Sequence, residues 1–326
     1  MASAPTLITP KFLLPYPAPV SDYRCAVNAD ATAVVFERTT FTANGSVGPQ
    51  LCLLDLANER AEPTFLLSGI EISTRPDWSW PTGRIAFNYT DSVMVGVLKA
   101  PGQAAALFGS STEQMNYPTW FPDGTMLATE DMNGMPSPNT TTIDASTGAV
   151  IQTDLEGEGL WGGMPSVNPA KPNLIAFAGQ PISGSTYNED KNYVFVMDTS
   201  SSNPPTPLES GAPTSGPFNP NYQGRAPWWS PDGKWVVFES NRPTQYEANK
   251  LYAIYLYHHG GSKPAMQITS TIYNCNHAKW FPNGFPKGPS GAFQLIVASS
   301  RSAKTNPSAG PYGLSALDLT PLGITF

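Results

Sequence analysis

One short pattern recurs six times along the chain and limits the possible folds more than any other feature. Its fullest copy runs from Ala226 to Ser240 and reads APWWSPDGKWVVFES. The residues after Trp235 are β-branched or aromatic, as is typical of a β-strand. The Pro-Asp-Gly sequence at 231–233 is typical of a turn, because Pro fixes φ and Gly accepts a positive φ. Each copy therefore predicts a β-hairpin.

The copies align on the tryptophan before the turn, which two degenerate copies replace by valine. The aligned positions are Val27, Trp78, Trp120, Val167, Trp229 and Trp280. Four copies continue into a third strand that ends at an aspartate, expected to bond the backbone of the next turn. These aspartates are Asp55, Asp144, Asp198 and Asp318. Consecutive copies lie 42 to 62 residues apart, which leaves room for a short fourth strand.

Six copies of four strands predict an all-β fold, a six-bladed β-propeller of four-stranded antiparallel blades. We expect one domain, residues 1–326, with blades at approximately 20–70, 71–112, 113–158, 159–218, 219–272 and 273–326. The last blade has little chain left for an outer strand. The strand-like segment Thr6–Leu14 is therefore expected to complete that blade and to close the ring, which removes a free sheet edge.

The aligned tryptophans are expected to fill the gaps between blades, because both faces of each sheet are covered in a propeller. Stacking on a sugar is the alternative role at those four positions. Trp80, Trp161 and Trp228 lie outside the aligned position and are freer to face a ligand.

The motif Pro-x-Trp-[Ser/Phe]-Pro-Asp-Gly resembles the TolB-type propeller repeat, and the resemblance covers the chain from about residue 20 to 326. The resemblance implies the fold, whereas the family is functionally mixed and includes TolB, peptidase propeller domains and some polysaccharide lyases. Lyases of acidic saccharides would need Arg to neutralise a uronate carboxylate and His or Tyr to move protons. The metal-binding histidines usual in those lyases have no counterpart in this chain.

Composition excludes some classes of partner. The net charge of −7 argues against a broad nucleic-acid surface, which needs a basic face. No run of 18 apolar residues exists, so no membrane span is expected. Charged residues make up only 13% of the chain, and with its Ser/Thr/Asn/Pro-rich loops this suits a secreted or periplasmic protein whose leader has been removed. A cytoplasmic location stays open.

No motif for a metal or an organic cofactor is found, so none is expected. The segment Asn188–Asn192 spaces its oxygen ligands like a calcium loop but lacks the following Gly and the distant Glu, which indicates a solvated loop. Three cysteines match no zinc spacing. They are expected to be buried thiols, with a Cys25–Cys52 disulfide as the alternative.

The hairpin geometry predicts which end of the propeller is functional. The start of each first strand and the end of each second strand share one face with the loops between strands two and three. We call this the loop face, and we call the opposite end, with the Pro-Asp-Gly turns, the turn face. Several loops of the loop face are long, and long loops on a rigid scaffold are where function is expected.

The candidate site residues lie at these strand ends. The catalytic candidates are His277 and Tyr117. The ligand-binding candidates are Arg24, Arg75, Arg225, Asn116, Asn276, Glu37, Glu130 and Glu239. Because arginine forks match carboxylate and phosphate groups, the cluster predicts a central funnel that binds a small anionic molecule or glycan. Lyase-type chemistry in that funnel is slightly favoured over binding alone.

Two alternatives stay open. In the first, the arginines pair with Glu37, Glu130 and Glu239 across adjacent blades, as structural ion pairs that line a wet channel. Alternatively, the funnel or rim holds a protein partner, and the chain is a non-catalytic scaffold. A lectin with repeated sites is disfavoured, because the six blades do not carry matching polar residues.

Overall fold

The computed structural model describes most of the chain. The described residues are 6–14, 20–58, 62–67, 72–89, 94–100, 103–109, 114–131, 138–157, 159–182, 187–243, 251–288, 291–300 and 311–324, without the side chains of 283–288 and 291–292. Parts of the long loops, at 132–137, 183–186, 244–250 and 301–310, lie outside the described residues.

The described strands form six four-stranded antiparallel sheets, which confirms the predicted six-bladed β-propeller. The first strand, β1 (Lys11–Phe12), belongs to the sixth blade. The first two blades contain β2 (Val20–Val27), β3 (Ala33–Thr42), β4 (Gly45–Asp55), β5 (Thr64–Phe65), β6 (Ser73–Trp78), β7 (Ile85–Tyr89), β8 (Met94–Leu98) and β9 (Ala105–Phe108). The third and fourth contain β10 (Met115–Trp120), β11 (Met126–Asp131), β12 (Asn139–Asp144), β13 (Val150–Gln152), β14 (Leu160–Val167), β15 (Leu174–Pro181), β16 (Tyr193–Asp198) and β17 (Thr206–Pro207).

The last two blades contain β18 (Arg225–Trp229), β19 (Trp235–Ser240), β20 (Ala253–His258), β21 (Met266–Gln267), β22 (Asn276–Gly288), β23 (Gly291–Ser300) and β24 (Tyr312–Leu317). Four single-turn 3-10 helices lie in the described connections: Glu189–Lys191, Pro220–Tyr222, Thr271–Tyr273 and Thr320–Leu322. Among the described residues, no helix is long and apolar enough to cross a membrane. That residues 1–326 form one domain stays a prediction.

The N-terminal segment closes the ring, as predicted. Strand β1 pairs with β24 at the outer edge of the sixth blade. The Leu13 amide donates to the Leu314 carbonyl at 3.0 Å, and the Ile8 amide donates to the Ile268 carbonyl of the fifth blade at 2.8 Å. The segment therefore holds two neighbouring blades together.

The core is divided among the blade interfaces. The described residues form six hydrophobic clusters, each of which joins two adjacent blades. The aligned residues Trp120, Trp229 and Trp280 are 6%, 1% and 2% exposed, which confirms their packing between blades. Trp78 is only half-buried. A propeller has no single centre to fill, so each interface needs its own large side chain.

The turn chemistry also agrees with the sequence. Gly233 has φ 68°, and Asp232 accepts the Lys234 amide at 3.1 Å. All four aspartates that end a third strand accept a backbone amide of the following turn, as predicted. These are Asp55, Asp144, Asp198 and Asp318.

All three cysteines are free and buried. Cys25 lies on β2 and Cys52 on β4, with β3 between them. Neighbouring strands are about 4.8 Å apart, so strands two places apart are about 10 Å apart, beyond the roughly 7 Å that a disulfide spans. The disulfide alternative is therefore wrong.

Candidate functional site

Each innermost strand of the propeller contains a β-bulge at the same position. The bulged residue has a positive φ in all six blades. These residues, which we call the upper ring, are Arg24 (φ 21°), Arg75 (50°), Tyr117 (47°), Met164 (50°), Ala226 (48°) and His277 (49°). A positive φ costs a residue other than Gly about 1–3 kcal/mol. The surroundings must therefore hold the ring in place.

Hydrogen bonds between blades hold it. In four blades a side chain at the end of the second strand accepts the backbone amide of the next blade's ring residue. The pairs are Glu37 with Arg75 at 2.5 Å, Asn88 with Tyr117 at 3.0 Å, Glu130 with Met164 at 2.9 Å, and Glu239 with His277 at 2.6 Å. The three candidate glutamates thus fix the backbone of the ring whatever else they do.

Arg24 connects the first and sixth blades. Its Nη1 donates to both carboxylate oxygens of Glu37 at 3.3 and 3.4 Å, and its Nε donates to His277 Nε2 at 3.2 Å. The guanidinium also lies 4.9 Å from the centre of the Tyr23 ring. The group is therefore oriented by three neighbours, but its bonds to Glu37 are long.

Arg225 is held in a similar way in the fifth blade. Its Nε donates to Glu239 at 2.7 Å, and its Nη1 donates to Glu189 at 3.3 Å. Its guanidinium lies 4.1 Å from the centre of the Tyr252 ring. The Arg225–Glu239 pair and the Arg24–Glu37 pair each form within one blade, whereas the ion-pair alternative placed such pairs across adjacent blades.

The candidates Tyr117 and Arg75 are brought together directly. The Arg75 guanidinium lies 4.4 Å from the centre of the Tyr117 ring. The Arg24 guanidinium lies 5.8 Å from the same ring. Stacking of this kind stabilises a cation on an aromatic face and limits its orientations.

His277 is neutral at neutral pH. Burial lowers the pKa of its imidazole well below the ordinary value, and the nearby cations Arg24, Arg225 and Arg75 lower the pKa further. Because Nε2 accepts a hydrogen bond from Arg24, the proton lies on Nδ1, which is 4.0 Å from a Glu239 oxygen. The lone pair that would accept a proton is already used by Arg24.

The remaining candidates are buried below the surface of the site. Asn116 and Asn276 are 6% and 2% exposed, and each bonds its own neighbourhood: Asn116 accepts the Tyr117 amide and Asn276 donates to the Asn274 carbonyl. Glu130 is 3% exposed and packs against Gly163 of the next blade. Burial raises the pKa of Glu130 to about 7.

The upper ring surrounds a narrow cavity of about 50 Å³, which we call the upper cavity. Its wall continues into a layer of prolines directly after the ring residues: Pro76, Pro118, Pro165 and Pro227. Proline has no amide hydrogen, so four of the six blades offer no backbone donor at this level, whereas the first and sixth blades have Cys25 and Ala278 there. A space of this size holds a few water molecules or one small anionic group but no sugar ring.

Sequence reasoning missed several residues of this region. Tyr252 and the pair Glu189 and Asp190 meet Arg225 from different blades, and Asp190 also accepts the Tyr252 hydroxyl at 2.6 Å. The segment expected to be only a solvated loop therefore contacts the site. No local signal identifies these residues, because blade packing brings them together. The expectation for Trp161 was wrong, since it is 5% exposed and packs edge-on against Tyr187.

Within the described part of the chain, no group of three or more His, Cys, Asp or Glu side chains is placed to hold a metal ion.

No protein-family model matches the chain, and no curated protein matches it. Solved structures do match. A protein from Agrobacterium tumefaciens assigned as TolB gives a TM-score of 0.55 at 16% identity, over 75% of this chain and 76% of that one. TolB from Acinetobacter baumannii gives 0.55 at 18% identity, over 79% of this chain and 56% of that one. Acylaminoacyl peptidase from Pyrococcus horikoshii gives 0.51 at 12% identity, over 92% and 51% of the two chains. Identities this low establish the architecture and nothing further: the chain folds as a six-bladed TolB-like β-propeller.

Proposed function

We propose that the loop face binds a small ligand through an anionic group, such as the carboxylate of an acidic saccharide. The observation that carries the proposal is the clustering of three arginines on the loop face, each against a tyrosine ring: Arg24 and Arg75 line the upper cavity, and Arg225 directly precedes the ring residue Ala226. The chain has only 18 Lys and Arg residues, so three arginines at these strand starts are a concentration.

Two of the arginines keep a donor for a ligand. Nη2 of Arg24 and Nη2 of Arg225 have no acceptor among the described residues, although both groups are ion-paired through other nitrogens. The long bonds from Arg24 to Glu37 leave room for a carboxylate to compete. An anion that accepts from a charged donor forms a hydrogen bond worth about 1.5–3 kcal/mol.

The size of the channel limits how the ligand lies. The upper cavity of about 50 Å³ admits the anionic group alone. The body of the ligand then stays above the upper ring, between the loops of the loop face. As part of the same proposal the protein is exported, which agrees with its low content of charged residues, 13%.

Proton transfer is the finer part of the proposal. A lyase needs a base, and neutral His277 is the candidate, with Tyr117 as its partner acid across the ring. Because His277 Nε2 accepts from Arg24, the base becomes free only when Arg24 turns towards the ligand's anionic group. Binding would thus release the base, which links the two functions to one side chain.

The test is titration calorimetry with glucuronate, and with glucose as the uncharged match. Wild type is expected to bind glucuronate more tightly than glucose. Arg75→Ala should weaken glucuronate binding about 10- to 150-fold, the range of one charged hydrogen bond. Lys234→Ala removes the same charge from an exposed residue of the turn face and should change nothing. An Arg75 variant that loses stability but binds like wild type would make the arginines purely structural.

His277→Ala separates an enzyme from a binder. If His277 moves protons, the variant should lose turnover of an oligouronate far more than it loses affinity. Turnover is followed by the ultraviolet absorbance of the unsaturated product. Turnover equal to that of the wild type rejects the catalytic role and leaves binding, with a protein scaffold as the next candidate.

A further inference from the structure

A second cavity of about 270 Å³ occupies the channel on its turn-face side, below the proline layer. We call it the lower cavity. Six of the eight tryptophans of the chain line it: Trp78, Trp80, Trp120, Trp228, Trp229 and Trp280. Turn residues such as Pro81 and Pro231 form its rim, which places its opening on the turn face.

The tryptophans divide into two groups. Trp120, Trp229 and Trp280 are almost fully buried in the blade interfaces. Trp78, Trp80 and Trp228 are half-buried and keep ring surface for a ligand. The rings that remain accessible are fixed by packing and hydrogen bonds, as when the Trp80 indole donates to the Val27 carbonyl at 3.0 Å.

One buried ion pair lies at the inner end of the lower cavity. Lys279 Nζ of the sixth blade lies 3.7 Å from Asp77 Oδ1 of the second blade. Ala26 of the first blade lies between them and also lines the cavity, and its small side chain leaves room for the pair. Lys279 also lies over the face of the Trp228 ring. Lys279 lines both cavities and separates them.

We propose that the lower cavity binds a flat aromatic carboxylate, with its ring between the half-buried tryptophans and its carboxylate at Lys279 Nζ. This site is separate from the loop face and does not depend on the proposed function.

The volume and the aromatic lining of the lower cavity favour a ligand with an aromatic ring system. A cavity of about 150 Å³ lined by apolar side chains holds one benzene molecule, so 270 Å³ suits a fused two-ring system. Aromatic pairs in offset or edge-to-face contact gain about 0.5–1.5 kcal/mol beyond the burial of their surface. Three accessible indole rings around one space offer several such contacts.

The charge selects the carboxylate. A cage of tryptophans otherwise suits a cationic ligand, but the ammonium of Lys279 already lies over the Trp228 ring and occupies that face. Burial lowers the pKa of Lys279 to about 8, while Asp77 raises it, so the amine stays mainly protonated at neutral pH. An ammonium has three donors, which allows it to serve Asp77 and a ligand together.

The experiment is titration calorimetry with indoleacetate and with tryptamine, which has the same ring but an ammonium group. Indoleacetate should bind, and tryptamine should bind at least about tenfold more weakly. Trp80→Ala removes an accessible wall and should weaken indoleacetate at least about tenfold. The double variant Asp77→Asn, Lys279→Met removes the pair without leaving a lone buried charge, and it should abolish the preference for the carboxylate.

A matched control uses a tryptophan outside the cavity. Trp161→Phe changes a ring on the loop face and should leave indoleacetate binding unchanged. The proposal is overturned if Trp161→Phe weakens binding as much as Trp80→Ala, if tryptamine binds as well as indoleacetate, or if indoleacetate does not bind. If the double variant does not fold, Trp80→Ala and the ligand pair still decide the question.

Discussion

At the scale of single residues, Glu130 shows how one side chain of the site links blades and also responds to pH. It is buried, it accepts the Met164 amide of the next blade, and it packs against Gly163. Burial raises the pKa of its carboxyl from 4.5 to about 7, and the nearby Glu189 raises the pKa further, whereas the Met164 amide lowers it. The folded protein therefore binds this proton more tightly than the unfolded chain does.

The sign of the pH dependence follows. The contribution of Glu130 to stability is fully present below pH 4.5 and is lost as the pH rises to about 7. Glu130→Gln keeps an acceptor for Met164 but cannot titrate. Its free energy of unfolding relative to wild type should therefore increase between about pH 4.5 and pH 7, by at most about 3 kcal/mol. Denaturant unfolding at several pH values measures this.

The control for Glu130→Gln is Glu62→Gln, which makes the same chemical change at an exposed residue. Its stability should follow the wild-type profile at every pH. If the Glu130→Gln profile also runs parallel to wild type, the carboxyl titrates at its ordinary pKa in the folded state.

At the scale of the strand, the innermost strand of the fifth blade depends on Trp229 to pack against the fourth blade. The side chain is 1% exposed, and its cluster includes Val194 and Val196 of the fourth blade as well as Phe238 of its own. Trp229→Ala should lower the free energy of unfolding by roughly 3–5 kcal/mol, as large-to-small changes in cores do. Trp235→Ala, on the half-buried neighbour across the turn, should lower it by less.

Denaturant unfolding of both variants decides the role of Trp229. A loss of stability below about 1 kcal/mol, well under the range for a core aromatic residue, would mean that this tryptophan does not join the two blades. Its main role would then be to line the lower cavity.

The strands were predictable and their bulges were not. Alternation, Pro-Asp-Gly turns and the third-strand aspartates are local signals, so the hairpins follow from the sequence. The positive φ of the upper ring has no local signal, because Arg, Tyr and Met do not favour that conformation. Contacts such as that of Glu37 with the Arg75 amide impose it, and these exist only once the blades pack.

At the scale of the whole molecule, the positions of the site residues could be predicted from the repeats, but their contacts across blades could not. The alignment of the copies placed Arg24, Arg75, Tyr117 and His277 on one ring, because a propeller brings equivalent positions together. It could not give the partner of each group. Lys279 of the sixth blade meets Asp77 of the second beside Ala26 of the first, so this contact involves three blades at once.

Ring closure is the property of the whole molecule that can be tested most directly. A chain that lacks residues 1–14 loses the β1–β24 pairing, the amide bonds of Ile8 and Leu13, and the burial of Ile8, which is 9% exposed. Burial of one isoleucine is worth about 1.5–3 kcal/mol and each hydrogen bond about 1 kcal/mol. The Tm should therefore fall by about 5–10 °C, given about 2 °C for each kcal/mol in a chain of this size.

The exposed edge of β24 should also pair with other molecules, so the truncated chain is expected to self-associate. Differential scanning calorimetry measures the Tm, and size-exclusion chromatography measures the association. Removal of residues 1–5 alone is the matched control, because it retains every contact of Ile8, Leu13 and β1, and its Tm should equal that of the full chain. If the longer truncation also leaves the Tm unchanged, the C-terminal strands close the propeller without the N-terminal segment, and the pairing of β1 contributes nothing to the stability of the ring.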